Sequence, residues 1–230
     1  MKPKDRLIVA LDVATEQQAW HLVTNLQGQV GMFKVGSQLF GVGGPALVRR
    51  IVALGEKVFL DLKYHDIPNT VAAAISAVSR LGVSLVDVHA LGGKAMIEAA
   101  VGALPAMSAR LLAITILTSH SAETLQTIGI RDPVEEAVKR LALLAREAEA
   151  DGVVASAHEV AAIRALCGAD FLIVTPGIRP AGARLGDQAR AATPRAAVDA
   201  GADYIVVGRP ITEAADPVGA ARAIVAEIGG

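Results

Sequence analysis

Short apolar runs separated by helix-like stretches recur along the whole chain. Five of them follow a glycine: Gly55 before KVFLDL, Gly82 before VSLVDVH, Gly152 before VVAS, Gly168 before ADFLIV and Gly201 before ADYIVV. A small-residue stretch with helical periodicity precedes each, so each glycine reads as a helix C-terminal cap and each run as a buried strand. Val71, Ile75, Val78 and Leu81 share one helical face, as do Leu141, Leu144, Ala145 and Ala148. Three further runs, Leu7 to Asp12, Gly31 to Gly36 and Arg110 to Thr118, bring the strands to eight. Eight short apolar strands alternating with helices predict an α/β fold whose parallel sheet is covered on both faces. At 230 residues this suits a closed (β/α)8 TIM barrel, with a doubly wound open sheet as the competing arrangement. No linker, low-complexity segment or charge block divides the chain, so residues 1–230 are expected to form a single domain.

Composition narrows the class. Apolar residues make up 53% of the chain and aromatics only 3%, so the interior is built from Ala, Val, Leu and Ile, and base stacking on aromatic platforms is an unsuitable task for it. A net charge of -1 without a charged tail argues against non-specific nucleic-acid binding. The apolar run after Arg6 ends at Leu11, too short for a signal-peptide core, and no run approaches a membrane span. Cys167 is the only cysteine and reads as a small buried hydrophobe. A cytoplasmic protein is the expected setting.

In a barrel, polar residues at the C-terminal strand ends gather at one mouth, where barrel enzymes place their sites. Here they are Asp12, Lys34, Asp61, Lys63, His89, Thr118, Ser119, Ser156, Thr175, Gly208 and Arg209. Alternation along a strand puts Asp61 and Lys63 on one face with Leu60 and Leu62 on the other, and it puts Asp12 with Ile8 and Ala10, and Lys34 with Met32. Four charges alternating in sign on adjacent strands hold the lysines protonated, which favours stabilising and protonating a carbanion over forming a Schiff base. Asp66 lies beyond the strand, in a turn closed by Pro68. Gly208 and Arg209, together with Arg179 and Gln188 in the long loop Thr175 to Gln188, suit a phosphorylated small molecule. The five histidines lack metal-ligand spacing, His89 reads as a structural histidine, and a divalent ion on Asp61 and Asp66 would compete with two lysines. The GVGGP run at Gly41 reads as a loop or helix start.

The run DLKYHDIPNT resembles the DxKxxDIPNT motif of the orotidine 5′-phosphate decarboxylase family in its bacterial form. The likeness extends over nearly the whole chain through VALDV, FKVG, VHALGG, ILTS, SAHE, TPGIRP, GDQ and VGRPI. It implies decarboxylation of orotidine 5′-monophosphate to UMP and CO2 in de novo pyrimidine synthesis, with no cofactor and no metal. By the same resemblance Lys63 protonates C6, and Asp61 sits against the departing carboxylate. Lys34 and Asp12 bind the ribose side and hold the charge network, while Thr118 and Ser156 address the pyrimidine edge. Arg209, Gly208, Gln188 and Arg179 grip the phosphate and ribose. It further implies a homodimer in which Asp66 and Thr70 reach the partner's site. A metal-dependent hexulose-phosphate synthase or related decarboxylase shares DxKxxD but places a Glu where Lys34 stands, which opposes that reading; a catalytically silent nucleotide-binding barrel is the non-enzymatic alternative.

Overall fold

Eight parallel strands close into a barrel in sequence order, with the last hydrogen-bonded back to the first. A computed structural model describes residues 1–106, 108–180 and 192–229. The elements run β1 (Leu7–Ala10), α1 (Glu16–Leu26), β2 (Met32–Gly36), α2 (Ser37–Ala53), β3 (Val58–Tyr64), α3 (Pro68–Ser79), β4 (Leu85–His89) and α4 (Lys94–Ala103). The second half continues β5 (Arg110–Ile114), α5 (Ala122–Thr127), α6 (Val134–Glu147), β6 (Gly152–Val154), α7 (Val160–Cys167), β7 (Leu172–Thr175), α8 (Pro194–Asp199), β8 (Tyr204–Val207), α9 (Arg209–Thr212) and α10 (Pro217–Gly229). Short 3-10 turns at Pro3–Arg6 and Ala90–Gly92 complete the order.

Side-chain alternation creates two cores. Ile8, Ala10, Met32, Phe59, Leu85, Leu112, Leu172, Val174 and Val206 fill the barrel interior. Alternate residues such as Val9, Val35, Leu60, Val86, Val88, Ala113 and Ile205 face outward and pack beneath the helices. The interior apolar plug ends one rung below the C-terminal mouth, so the next inward positions, Lys34, Asp61 and Asp87, stand above it. Local signals start the helices: at α1, Thr15 accepts the Gln18 N–H while Gln18 accepts the Thr15 N–H, a reciprocal cap that contributes about 1 kcal/mol.

Several strands are shorter than their apolar runs. The first stops at Ala10 and the fifth at Ile114, so Asp12 and Thr118 lie in the loops that follow. Gly55, Gly82, Gly168 and Gly201 take positive φ as expected of caps, whereas Gly152 does not. It opens β6, where a Cβ would meet the Leu172 carbonyl oxygen at 2.2 Å; the left-handed turn falls instead on Glu149. The GVGGP run sits inside α2, where Gly44 breaks the helix at φ 54° and Pro45 begins its second half.

Candidate active site

The charged cluster is built on the first three strands. Lys34, inward on β2, places Nζ 3.0 Å from Asp61 Oδ2 and 3.2 Å from Asp12 Oδ1. The other oxygen of Asp61, Oδ1, accepts from Lys63 Nζ. The approach of Lys34 to Asp12 is close because Gly36 has no side chain: a Cβ there would lie 3.1 Å from Lys34 Nζ. Asp61 is buried, Lys63 partly so, and Asp12 remains open to solvent.

Burial alone would discharge these groups, and their mutual placement reverses that. Desolvation opposes the Lys34 ammonium, but the carboxylates of Asp61 and Asp12 outweigh it and hold the lysine above its ordinary value. Burial likewise opposes the Asp61 carboxylate, yet the charge of Lys34, the neighbouring Asp87 carboxyl and the charge and hydrogen bond of Lys63 keep it well below the usual carboxylate range.

β3 departs from regular alternation at its end. Asp61 and Lys63 do meet, but Lys63 has φ 52°, in the left-handed region, and the β3–β4 register shifts between Leu60 and Tyr64. The turn is held by Asp87 on β4, whose Oδ1 accepts the Lys63 backbone N–H at 2.8 Å. Asp87 is fully buried and went unremarked in the sequence. Extending the alternation through LVDVH would have found it, since Leu85, Asp87 and His89 share the inward face.

Beside this cluster opens a cavity of about 530 Å³, within the size range of small-molecule sites. Asp12, Lys34, Asp61 and Lys63 form one flank. Ile114, Ile116, Leu117, Val154 and Ala155 give it an apolar wall, and Thr118 and Ser119 add hydroxyls. Gly177, Arg179, Gly208 and Arg209 line the remaining side. Two guanidiniums there favour an anion: burial first and then the charge of Arg209 push Arg179 below its ordinary value. Glu213, one turn beyond Arg209, also reaches the wall and was not anticipated.

The other expected residues fall elsewhere. Ser156 is buried, its Oγ accepts the His158 N–H at 3.4 Å, and it does not line the cavity, whereas its neighbour Ala155 does. Asp66 and Thr70 are exposed and do not line this cavity. Gln188 lies outside the described residues. His89 is buried, accepts the Leu91 N–H on Nδ1 at 3.3 Å and stacks on His65 at 5.6 Å between centroids, as a structural histidine would. Among the described residues no helix is long and apolar enough to cross a membrane, and no group of three or more His, Cys, Asp or Glu is arranged to hold a metal ion.

Comparison with known proteins places this geometry in a family. The family model described as Orotidine 5'-phosphate decarboxylase / HUMPS family matches residues 5–224. An orotidine 5'-phosphate decarboxylase of Moorella thermoacetica is 54% identical over 236 positions, spanning 99% of this chain and 94% of that protein. One from Halorhodospira halophila is 57% identical over 225 positions, spanning 97% and 95%. The crystal structure of orotidine 5'-phosphate decarboxylase from Lactobacillus acidophilus matches with a TM-score of 0.86 at 41% identity, covering 97% of this chain and 99% of that one. With sequence likeness over nearly its full length and the same closed barrel, the chain belongs to the orotidine 5'-phosphate decarboxylase / HUMPS family.

Proposed function

We propose that the protein decarboxylates orotidine 5′-monophosphate to UMP and CO2 without a metal ion or cofactor. One observation carries the choice within the family: the position from which metal-dependent members are expected to offer a carboxylate is Lys34. Its Nζ lies 3.0 Å from Asp61 and 3.2 Å from Asp12. An ammonium held there occupies the place a divalent cation would take and repels one.

In this reading the phosphate lies against Arg179 and Arg209, beside Gly208, and the pyrimidine lies along the apolar wall with Thr118 and Ser119 at its polar edge. The ring carboxylate then meets Asp61 and Lys63. Breaking the bond from C6 to the carboxylate releases CO2 and leaves the electron pair on C6. The Lys63 ammonium stabilises that charge and donates its proton to C6, which completes UMP, and the neutral amine regains a proton from solvent. Lys34 and Asp12 hold the ribose side, Asp12 helps keep Lys34 charged, and Lys34 in turn keeps Asp61 ionised. Gln188 joins the phosphate grip, and Ser156, next to Ala155 in the chain, serves the pyrimidine edge. Phosphate binding, remote from C6, contributes binding energy that the chemical step uses.

The active unit in this reading is an isologous homodimer. Asp66 and Thr70 are exposed and do not line their own cavity, and Ile67 beside Asp66 is an apolar side chain at 66% exposure, suited to a contact. Asp66 and Thr70 then complete the partner's site.

The test is loss of orotidine 5′-monophosphate absorbance in the presence of a chelator and no added cofactor. Turnover unaffected by the chelator supports the proposal. Loss of turnover that Mg²⁺ restores contradicts it.

A further inference from the structure

Asp87 poses a problem of charge. It is fully buried at the inner rung of β4, and its Oδ1 accepts the Lys63 N–H. Its Oδ2 is also buried and receives no hydrogen bond. The carboxyl group nonetheless lies within hydrogen-bonding reach of Asp61, whose two oxygens already accept Lys34 and Lys63. Two ionised carboxylates cannot share such a place at low cost, and an orphaned buried oxygen is itself unfavourable. A proton on Oδ2 resolves both difficulties, because the acid then donates to Asp61 while its carbonyl oxygen continues to accept from Lys63. The other neighbours offer no alternative: β5 presents Leu112 opposite Asp87, and the titratable groups that act on or with it, Asp61, Lys63 and Tyr64, all come from β3.

We propose that Asp87 is a positioning residue for the decarboxylation, a neutral carboxylic acid that donates to Asp61 through one oxygen and holds the left-handed Lys63 backbone through the other. This rests on the decarboxylase reading above. The two tasks belong together. Lys63 is one of two non-glycine described residues with positive φ, a conformation that costs free energy unless the surroundings hold it. Its amide is held by Asp87. Its ammonium is held by Asp61, which Asp87 in turn orients. One side chain thereby sets both ends of the proton donor relative to C6. Burial first and then the negative charge of Asp61 push the Asp87 carboxyl well above the ordinary carboxylate range, in keeping with the neutral form.

Replacement by asparagine separates a neutral donor from a charge. An amide at this position donates to Asp61 and accepts from Lys63 as the acid does, but it is never ionised. Asp87→Asn is expected to keep kcat within about threefold of the parent, whereas Asp87→Ala loses about 100-fold in kcat, counted per UMP-binding site, with KM changed only several-fold. A residue needed only for folding would reduce the number of sites and leave kcat per site unchanged. The proposal is overturned if Asn loses as much as Ala, or if Ala turns over at the parent rate. A second measurement needs neither a folded Ala variant nor any activity. In substrate-free protein labelled with ¹³C at aspartate carboxyls, with Asp87 assigned from the Asn spectrum, the carboxyl carbon is expected at the protonated position at neutral pH. An ionised Asp87 overturns the proposal even if the parent decarboxylates, and a parent that fails to decarboxylate sinks the functional reading while leaving the acid form to be decided by this spectrum.

Discussion

Lys34 Nζ and Asp61 Oδ2 lie 3.0 Å apart across β2 and β3, both shielded from solvent. Removing one partner of such a pair leaves the other charge buried and uncompensated, which is more damaging than the pair's net contribution would suggest. Asp61→Ala leaves Lys34 with Asp12 alone and deprives Lys63 of its carboxylate. It is expected to lower unfolding free energy by about 3 kcal/mol in denaturant titrations and to reduce turnover by at least about 100-fold. Parent-like stability would contradict the reading of this pair as mutually dependent.

The anion end of the cavity has a different signature. Arg209→Ala is expected to raise the KM for orotidine 5′-monophosphate by about 100-fold, the effect of losing a charge-assisted bond to phosphate. Binding of uridine, which lacks the phosphate, should change little. Equal losses for nucleotide and nucleoside would move Arg209 away from the phosphate.

Much of this arrangement was legible because strand alternation is strict. Ile8, Ala10, Met32 and Lys34 all fall inward as their spacing requires, and the charged rung sits directly above the apolar plug. The limits have physical causes. Apolar runs overstate strand length where hydrophobic residues line a cavity, as Ile116 and Leu117 do beyond the end of β5. The left-handed turn at Lys63 is invisible locally, since its partner Asp87 is 24 residues away in the chain. At the start of β6 the need for glycine came from the neighbouring strand rather than a helix end: Gly152 makes room for the Leu172 carbonyl, and Glu149 takes the turn.

Acid sensitivity should carry the mark of His89. Burial first, then the charges of His65, His120 and Lys63, push its imidazole from 6.5 down to about 4. The folded protein therefore binds this proton less readily than the unfolded chain, so the contribution is full above the unfolded value and is lost as pH falls toward 4. Its upper limit is about 3 kcal/mol. Asp87 acts in the opposite sense, since a raised carboxyl costs stability as pH rises above the ordinary carboxylate range. His89→Asn, which keeps an acceptor for the Leu91 N–H, should flatten the loss of stability between these limits in unfolding curves taken across pH. Identical slopes for parent and variant would remove His89 from the account.

Shared sites predict complementation. Chains carrying Asp66→Ala and chains carrying Lys63→Ala, each inactive alone, should regain roughly a quarter of the parent's active sites when co-expressed and randomly paired. No recovery despite demonstrated subunit mixing would mean that each site is built from one chain.

The most direct test of Lys63 as proton donor is to compare Lys63→Ala with the parent in single turnover, with UMP affinity measured on the same preparations. Decarboxylation is expected to fall by at least about 1,000-fold while UMP still binds within about tenfold, because the anion end and the apolar wall are untouched. Turnover near the parent rate with UMP binding intact would contradict it.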